Sequence, residues 1–250
     1  MAHLNSLGAL SELPLPLAPG PLRAGNTLQI IARDKKSFAP IKAENQQVSW
    51  QNSPTLVRLY TQETTGLQTR LWRAFIKDRN LVPFHHDIYR EAEDEPTPLT
   101  RAASLGLLTP SGYHHRIRYS RSTAAWVLGY LPELPEGRLH VDYDRDNRCN
   151  LPRPYRAGFA THQAVLRPYE TITIGPIKLT SPLKTALDII IHSTDDQELM
   201  IVKEILIDSH NSVTPQLLLQ SAREHLARKS PALLRAQHLA HQVAAAAHEI

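Results

Sequence analysis

Three groups of side chains in this sequence could do chemistry. Ser181, Lys184 and Asp188 combine a hydroxyl, an amine and a carboxyl, with Lys184 and Asp188 spaced to meet on one face of a helix. Nothing nearby supplies a second base or an oxyanion donor. A capping serine beside a lysine and aspartate pair is ordinary helix-start chemistry, so these residues are expected to serve stability rather than reaction. Asp142, Asp144 and Asp146 alternate as in a calcium loop, but Asn147 stands where the sharp turn needs glycine and Arg153 where a bidentate glutamate belongs. His85, His86, His114, His115, His140 and His162 could hold a metal only if the fold gathered them, and adjacent histidines on an extended segment point to opposite faces. The sequence has no glycine-rich phosphate loop, no His-Glu-x-x-His, no Gly-x-Ser-x-Gly and no Pro-Asp followed by Glu-x-Lys. No catalytic residue, metal or cofactor is predicted.

What remains is ionic. On a helix predicted over 67–80, Arg70, Arg73 and Lys77 project within about a sixth of a turn of one another, while Leu67, Leu71, Trp72, Phe75 and Ile76 take the other side. With Arg79 and Arg90 these are the candidate DNA contacts, although a basic stripe opposite an apolar one is also how a solvated helix looks. Arg116, Arg118 and Arg121, and the loop residues Arg145, Arg148, Arg153 and Arg156, either extend that basic surface or are balanced by Asp142, Asp144, Asp146 and Glu170.

Positioning the stripe requires a small module. A short apolar helix is predicted over 55–60, broken at Thr64-Thr65-Gly66 before the basic helix. Extended segments over 81–90, turning at His86-Asp87, form a wing. The order helix, turn, helix, wing reads as a winged helix-turn-helix spanning 54–95. An acidic linker, Glu91 to Glu95, leads into a mixed α/β domain over 96–250 that ends in helices, giving an α+β chain. There Thr97-Pro98, Ser181-Pro182, Thr214-Pro215 and Ser230-Pro231 start helices by a cap followed by proline at the first helical position. Thr194 to Gln197 reads as a capping box, and Ser120 caps a helix that runs to Gly129. Strands are predicted over 113–119, 138–144 and 155–162, with a hairpin over 171–180. Residues 1–53, with Leu13-Pro14-Leu15-Pro16-Leu17-Ala18-Pro19, read as a mostly disordered arm, apart from a strand near 27–32.

Composition sets the compartment. The 250 residues are 42% hydrophobic and 21% charged, with a net charge of +4, which suits a globular chain with an acidic partner. A single cysteine, Cys149, excludes an intramolecular disulfide framework, and no apolar run is long enough to span a bilayer. The cytoplasm is the expected location.

Three segments carry a family resemblance. Thr180-Ser181-Pro182-Leu183-Lys184-Thr185-Ala186-Leu187-Asp188-Ile189 resembles the Thr-Ser-Pro-x-Arg-Thr-x-x-Asp-Leu signature of AbiEi-family antitoxins, transcriptional regulators of type IV toxin-antitoxin systems. Ser120-Arg121-Ser122-Thr123-Ala124-Ala125, ending at Gly129, resembles the family's Ser-His-x-Thr-Ala-Ala-x-x-x-Gly. Leu139-His140-Val141 and the run Arg156 to His162 fall where its next two strands follow. Lys184 replaces the usual arginine and Arg121 the usual histidine. The family often has Gly-Val-Tyr at the wing's return, where this chain has Asp87-Ile88-Tyr89, and aspartate tolerates the positive φ that glycine would supply. The resemblance implies a non-enzymatic, DNA-binding repressor of its own operon. It further implies that the protein counters a nucleotidyltransferase toxin without a stable complex, with the signature residues Ser120, Ala124, Ala125, Gly129, His162, Thr180, Ser181, Pro182, Lys184, Thr185 and Asp188 structural in role. A protein-docking winged helix and a degenerate relative of nuclease-fused members are the other readings.

Overall fold

The computed structural model describes residues 30–32, 55–146, 149–165 and 167–247. Apart from 30–32, the predicted arm lies outside the described residues. Strand β1 (Ile30–Ala32) pairs antiparallel with β2 (Thr55–Val57). Next come β3 (Leu59–Tyr60), the one-turn helix α1 (Gln62–Thr65), α2 (Thr69–Asp78), β4 (Leu81–His85) and β5 (Ile88–Glu91). The segment 55–60 is therefore extended, not the predicted helix. Its run of β-branched, aromatic and apolar residues has no period that separates helix from strand, and backbone pairing with β1 and β5 decides for strand. The first helix instead follows it. Thr61 and Thr64 exchange side-chain to backbone bonds of 2.9 and 3.0 Å, and Gly66, at φ 66°, ends the turn in a conformation that favours glycine.

Strands β3, β5 and β4 form a three-stranded antiparallel sheet in that order, with a two-residue turn at His86-Asp87. The positive φ expected at Asp87 is found at His86 instead, at 47°. Helix α3 (Pro98–Leu108) closes this unit and joins it to the rest: Val57, Leu59, Ile88 and Ala103 share one buried cluster, and His85 Nε2 lies 2.6 Å from Ser104 Oγ.

The larger part is built on a five-stranded mixed sheet. Its strands are β6 (Ile117–Tyr119), β7 (Leu139–Asp144), β8 (Phe159–Ala164), β9 (Thr171–Ile174) and β10 (Ile177–Thr180), in the spatial order β8-β7-β6-β10-β9. The β7/β8 and β6/β10 pairs are parallel, and the others antiparallel. Strand β6 is shorter than predicted because Tyr113–Arg116 form hydrogen-bonded turns. Strand β8 starts later because Arg153–Tyr155 is a 3-10 turn.

Helix α4 (Arg121–Leu128) lies between two cores. Ala124, Trp126 and Val127 pack with the sheet, and Ala125 packs with α5 (Pro182–His192), α6 (Asp196–Ile207), α7 (Pro215–His225) and α8 (Pro231–Ala247). Helix α5 is buried on several sides, from Thr185 through Ile190, as its widened apolar stripe predicts. Helix α6 is capped by Asp195, whose carboxylate accepts from Gln197 N, so the capping box predicted from Thr194 is not formed. Among the described residues, no helix is long and apolar enough to cross a membrane.

Candidate nucleic-acid interface

Helix α2 is held by aromatic contacts on one face. Trp72, 6% exposed, meets the Tyr89 ring edge-on at 5.4 Å and stacks on Phe75 at 5.9 Å, and Phe75 in turn packs edge-on against Tyr60. Tyr60 donates to Glu91 Oε1 at 2.8 Å, and burial followed by that carboxylate pushes its hydroxyl up to about 12. These contacts fix α2 across the three-stranded sheet, leaving Arg70, Arg73 and Lys77 all exposed on the opposite side. Arg79 is exposed too, its guanidinium 5.7 Å from the Phe75 ring centroid. Arg90 is placed differently: its guanidinium donates to the carbonyls of Glu91, Ala92 and Asp94, bracing the exit of the wing. Leu71, assigned from its spacing to the apolar side, is 57% exposed, outside the cluster that Tyr60, Trp72 and Leu81 form with Leu67, Phe75, Ile76 and Tyr89.

The signature residues gather elsewhere, around the N-termini of α4 and α5. Ser181 Oγ accepts from Lys184 N, Pro182 occupies the first helical position, and Thr180 and Thr185 join hydroxyls at 2.6 Å. Lys184 Nζ donates to Asp188 Oδ1 at 2.5 Å, and Asp188 Oδ2 is buried without a partner. Burial pushes the Asp188 carboxyl up to about 6 against the pull of the Lys184 ammonium. Ala124 and Ala125 have no exposed surface, and Gly129, at φ 99°, ends α4. Ser181 thus caps α5, and Lys184 and Asp188 pair one turn apart along it. Ser181→Ala is expected to lower stability by about 1 kcal/mol through the lost cap while leaving DNA affinity unchanged. Denaturation curves beside binding isotherms check this, and an unchanged melt with lost binding would make the signature a functional site.

Two features of this region were not legible beforehand. Ser120 stands at the helix start but makes no capping bond; its hydroxyl donates to Asp142 Oδ1 at 2.9 Å. Asp142 also takes Arg118 Nη2 at 3.2 Å, and Arg118 is 1% exposed. Arg118 is thus interior, not part of a basic surface. The other feature is a stack of histidines. His140 and His162 lie with ring centroids at 5.5 Å, joined by an Nδ1 to Nε2 contact of 3.2 Å, and His192 continues the stack at 6.4 Å. Burial, then the nearby Arg121 guanidinium, pulls all three below the ordinary histidine value, and in the contact between His140 and His162 one neutral ring donates to the other. Arg121 itself has φ 51°, a left-handed conformation rare for arginine. Among the described residues, no group of three or more histidine, cysteine, aspartate or glutamate side chains could hold a metal ion. Lys184 bonds to Asp188 and Ser120 to Asp142, so this amine and this hydroxyl are each taken up in a bond to a carboxylate oxygen.

Residues 119–241 match the family model for the AbiEi antitoxin C-terminal domain. The match runs from β6 into α8 and takes in the whole signature region; the α2 module precedes it. Among solved structures, the chain is similar to the RV2827C protein from Mycobacterium tuberculosis, at 14% identity and a TM-score of 0.39, over 74% of this chain and 72% of that one. No curated protein matches it significantly.

Proposed function

We propose, for a chain whose residues 119–241 make it a member of the AbiEi antitoxin family, that it is a cytoplasmic DNA-binding transcriptional regulator. It represses its own operon and counters a nucleotidyltransferase toxin without forming a stable complex with it. The observation that carries the reading is the exposed row of Arg70, Arg73 and Lys77 on α2, a helix whose other face is clamped to the β3-β5-β4 sheet. A short helix, a second helix and two antiparallel strands, with the strand before the helices pairing to the last of them, support reading the module as a winged helix-turn-helix. Such a helix sets its cations against phosphates and its remaining exposed side chains against base edges. The reading assigns the antitoxin domain no chemical step, in keeping with the capping bond of Ser181 and the pairing of Lys184 with Asp188 and of Ser120 with Asp142.

Fluorescence anisotropy with the DNA preceding the gene tests the first part. Log affinity is expected to fall linearly with log salt concentration, because each neutralised phosphate releases counterions. Binding to a protein partner with no DNA retention at low salt would replace this reading with a docking module. Co-expression tests the second part. A nucleotidyltransferase encoded beside this gene is expected to arrest growth alone and to lose that effect when this chain is abundant, with no complex surviving size-exclusion chromatography. Continued arrest in the presence of the folded chain would remove the antitoxin role and leave the DNA-binding one.

A further inference from the structure

The solvent-facing side of α2 is not uniformly charged. Beside the cationic row lie Ala74, exposed, and Leu71, 57% exposed. On the helical wheel Ala74 is about 40° from Arg70 and about 60° from Leu71, so the two make a narrow apolar strip that borders the cations. Asp78 shares this side about two turns beyond Leu71. The strip lies within the first two turns of the helix, Leu71 being its third residue and Ala74 its sixth, and a recognition helix presents its N-terminal residues to base edges. An exposed leucine is ordinary by itself; this one is set in a helix face otherwise given to polar and small residues, next to three cations.

We propose that α2 reads thymine, with Leu71 and Ala74 packed against the 5-methyl group in the major groove while Arg70, Arg73 and Lys77 hold the adjoining phosphates. The proposal rests on the DNA-binding reading above and adds the base to it. The thymine methyl is the one apolar group on the major-groove edge of the four ordinary bases, and aliphatic side chains are its complement. Arginine and lysine without such a strip would favour guanine O6 and N7 instead.

The test begins with duplexes selected by the full chain from a randomised pool, after which each thymine of the selected motif is replaced singly by deoxyuridine. That change deletes the methyl and leaves base pairing and the other groove edges intact. At one or more positions the wild-type chain is expected to lose about fourfold in affinity, the value of one buried methyl. Leu71→Ala is expected to weaken binding to the thymine duplex by a similar factor and to become indifferent to thymine or uracil at that position, while Leu71→Met keeps the discrimination. Equal weakening of both duplexes by Leu71→Ala would mark a general loss and overturn the assignment, as would a motif in which no thymine methyl matters. Selection of no duplex at all would overturn the DNA reading along with it, so the two failures are distinct.

Discussion

A chain carrying Arg70→Glu, Arg73→Glu and Lys77→Glu together is expected to lose DNA retention at every salt concentration at which the wild type binds. The three side chains are exposed on one side of α2 and, among the described residues, form no ion pair that reversal would break, so the change reads on the interface and not on the fold. Each phosphate contact contributes close to one unit to the slope of log affinity against log salt. Removing all three should flatten that slope by roughly three units, and the introduced carboxylates repel the backbone besides. Single reversals at the same positions should each weaken binding and flatten the slope by about one unit. The control lies in the opposite face: Trp72, Phe75 and Tyr89 are untouched, so the near-ultraviolet circular dichroism of the ring cluster should be unaltered. A triple variant that keeps this spectrum and binds DNA as the wild type does would remove α2 from the interface.

Helix starts were the most legible part of the chain, for a local reason. Thr97-Pro98, Ser181-Pro182 and Thr214-Pro215 each place a hydroxyl where an orphan amide needs an acceptor and an imino acid where no amide is needed, and the structure begins α3, α5 and α7 at those prolines. Short elements were not legible. Val57, Leu59 and Tyr60 are apolar at spacings that a helix and a buried strand share, and only their partners in β1 and β5, distant in sequence, choose between them. Leu71 fails for a related reason: the helical wheel says which side it lies on, but which residues of that side are covered depends on partners distant in sequence. The histidine stack drew on His192 at the end of α5, whose approach to His162 on β8 left no trace in spacing. A sequence signal did exist for the buried charges. Arg118 stands between Ile117 and Tyr119, in a short strand whose every residue is buried, and Asp142 follows Val141 in the strand paired with it, so two opposite charges fall opposite one another in register. From spacing alone Arg118 either extends a basic surface or is balanced by Asp142, and the second alternative holds.

That pair carries the largest expected effect on stability. Arg118 and Asp142 are partners across β6 and β7, with side-chain exposures of 1% and 6%, and the Asp142 carboxylate is also held by the Ser120 hydroxyl. Arg118 extends the network through Nη1 to Thr171 Oγ1 at 2.9 Å, which links the central strand to the β9 edge. Removing one partner leaves the other charged and without its counter-ion in a site that water does not reach, so Arg118→Met or Asp142→Leu should each cost about 3–5 kcal/mol. Replacing both is different. The desolvation of two ions offsets most of their attraction, and the double variant with apolar side chains of similar volume should recover much of the loss, giving a large coupling in the double-mutant cycle. Chemical denaturation of the four chains measures it directly. Additive single losses would mean that the two charges act independently, and near-wild-type single variants would mean that the site admits water. If the pair instead has a role in DNA binding, folded single variants would lose affinity out of proportion to stability, an outcome the interior position of Arg118 argues against.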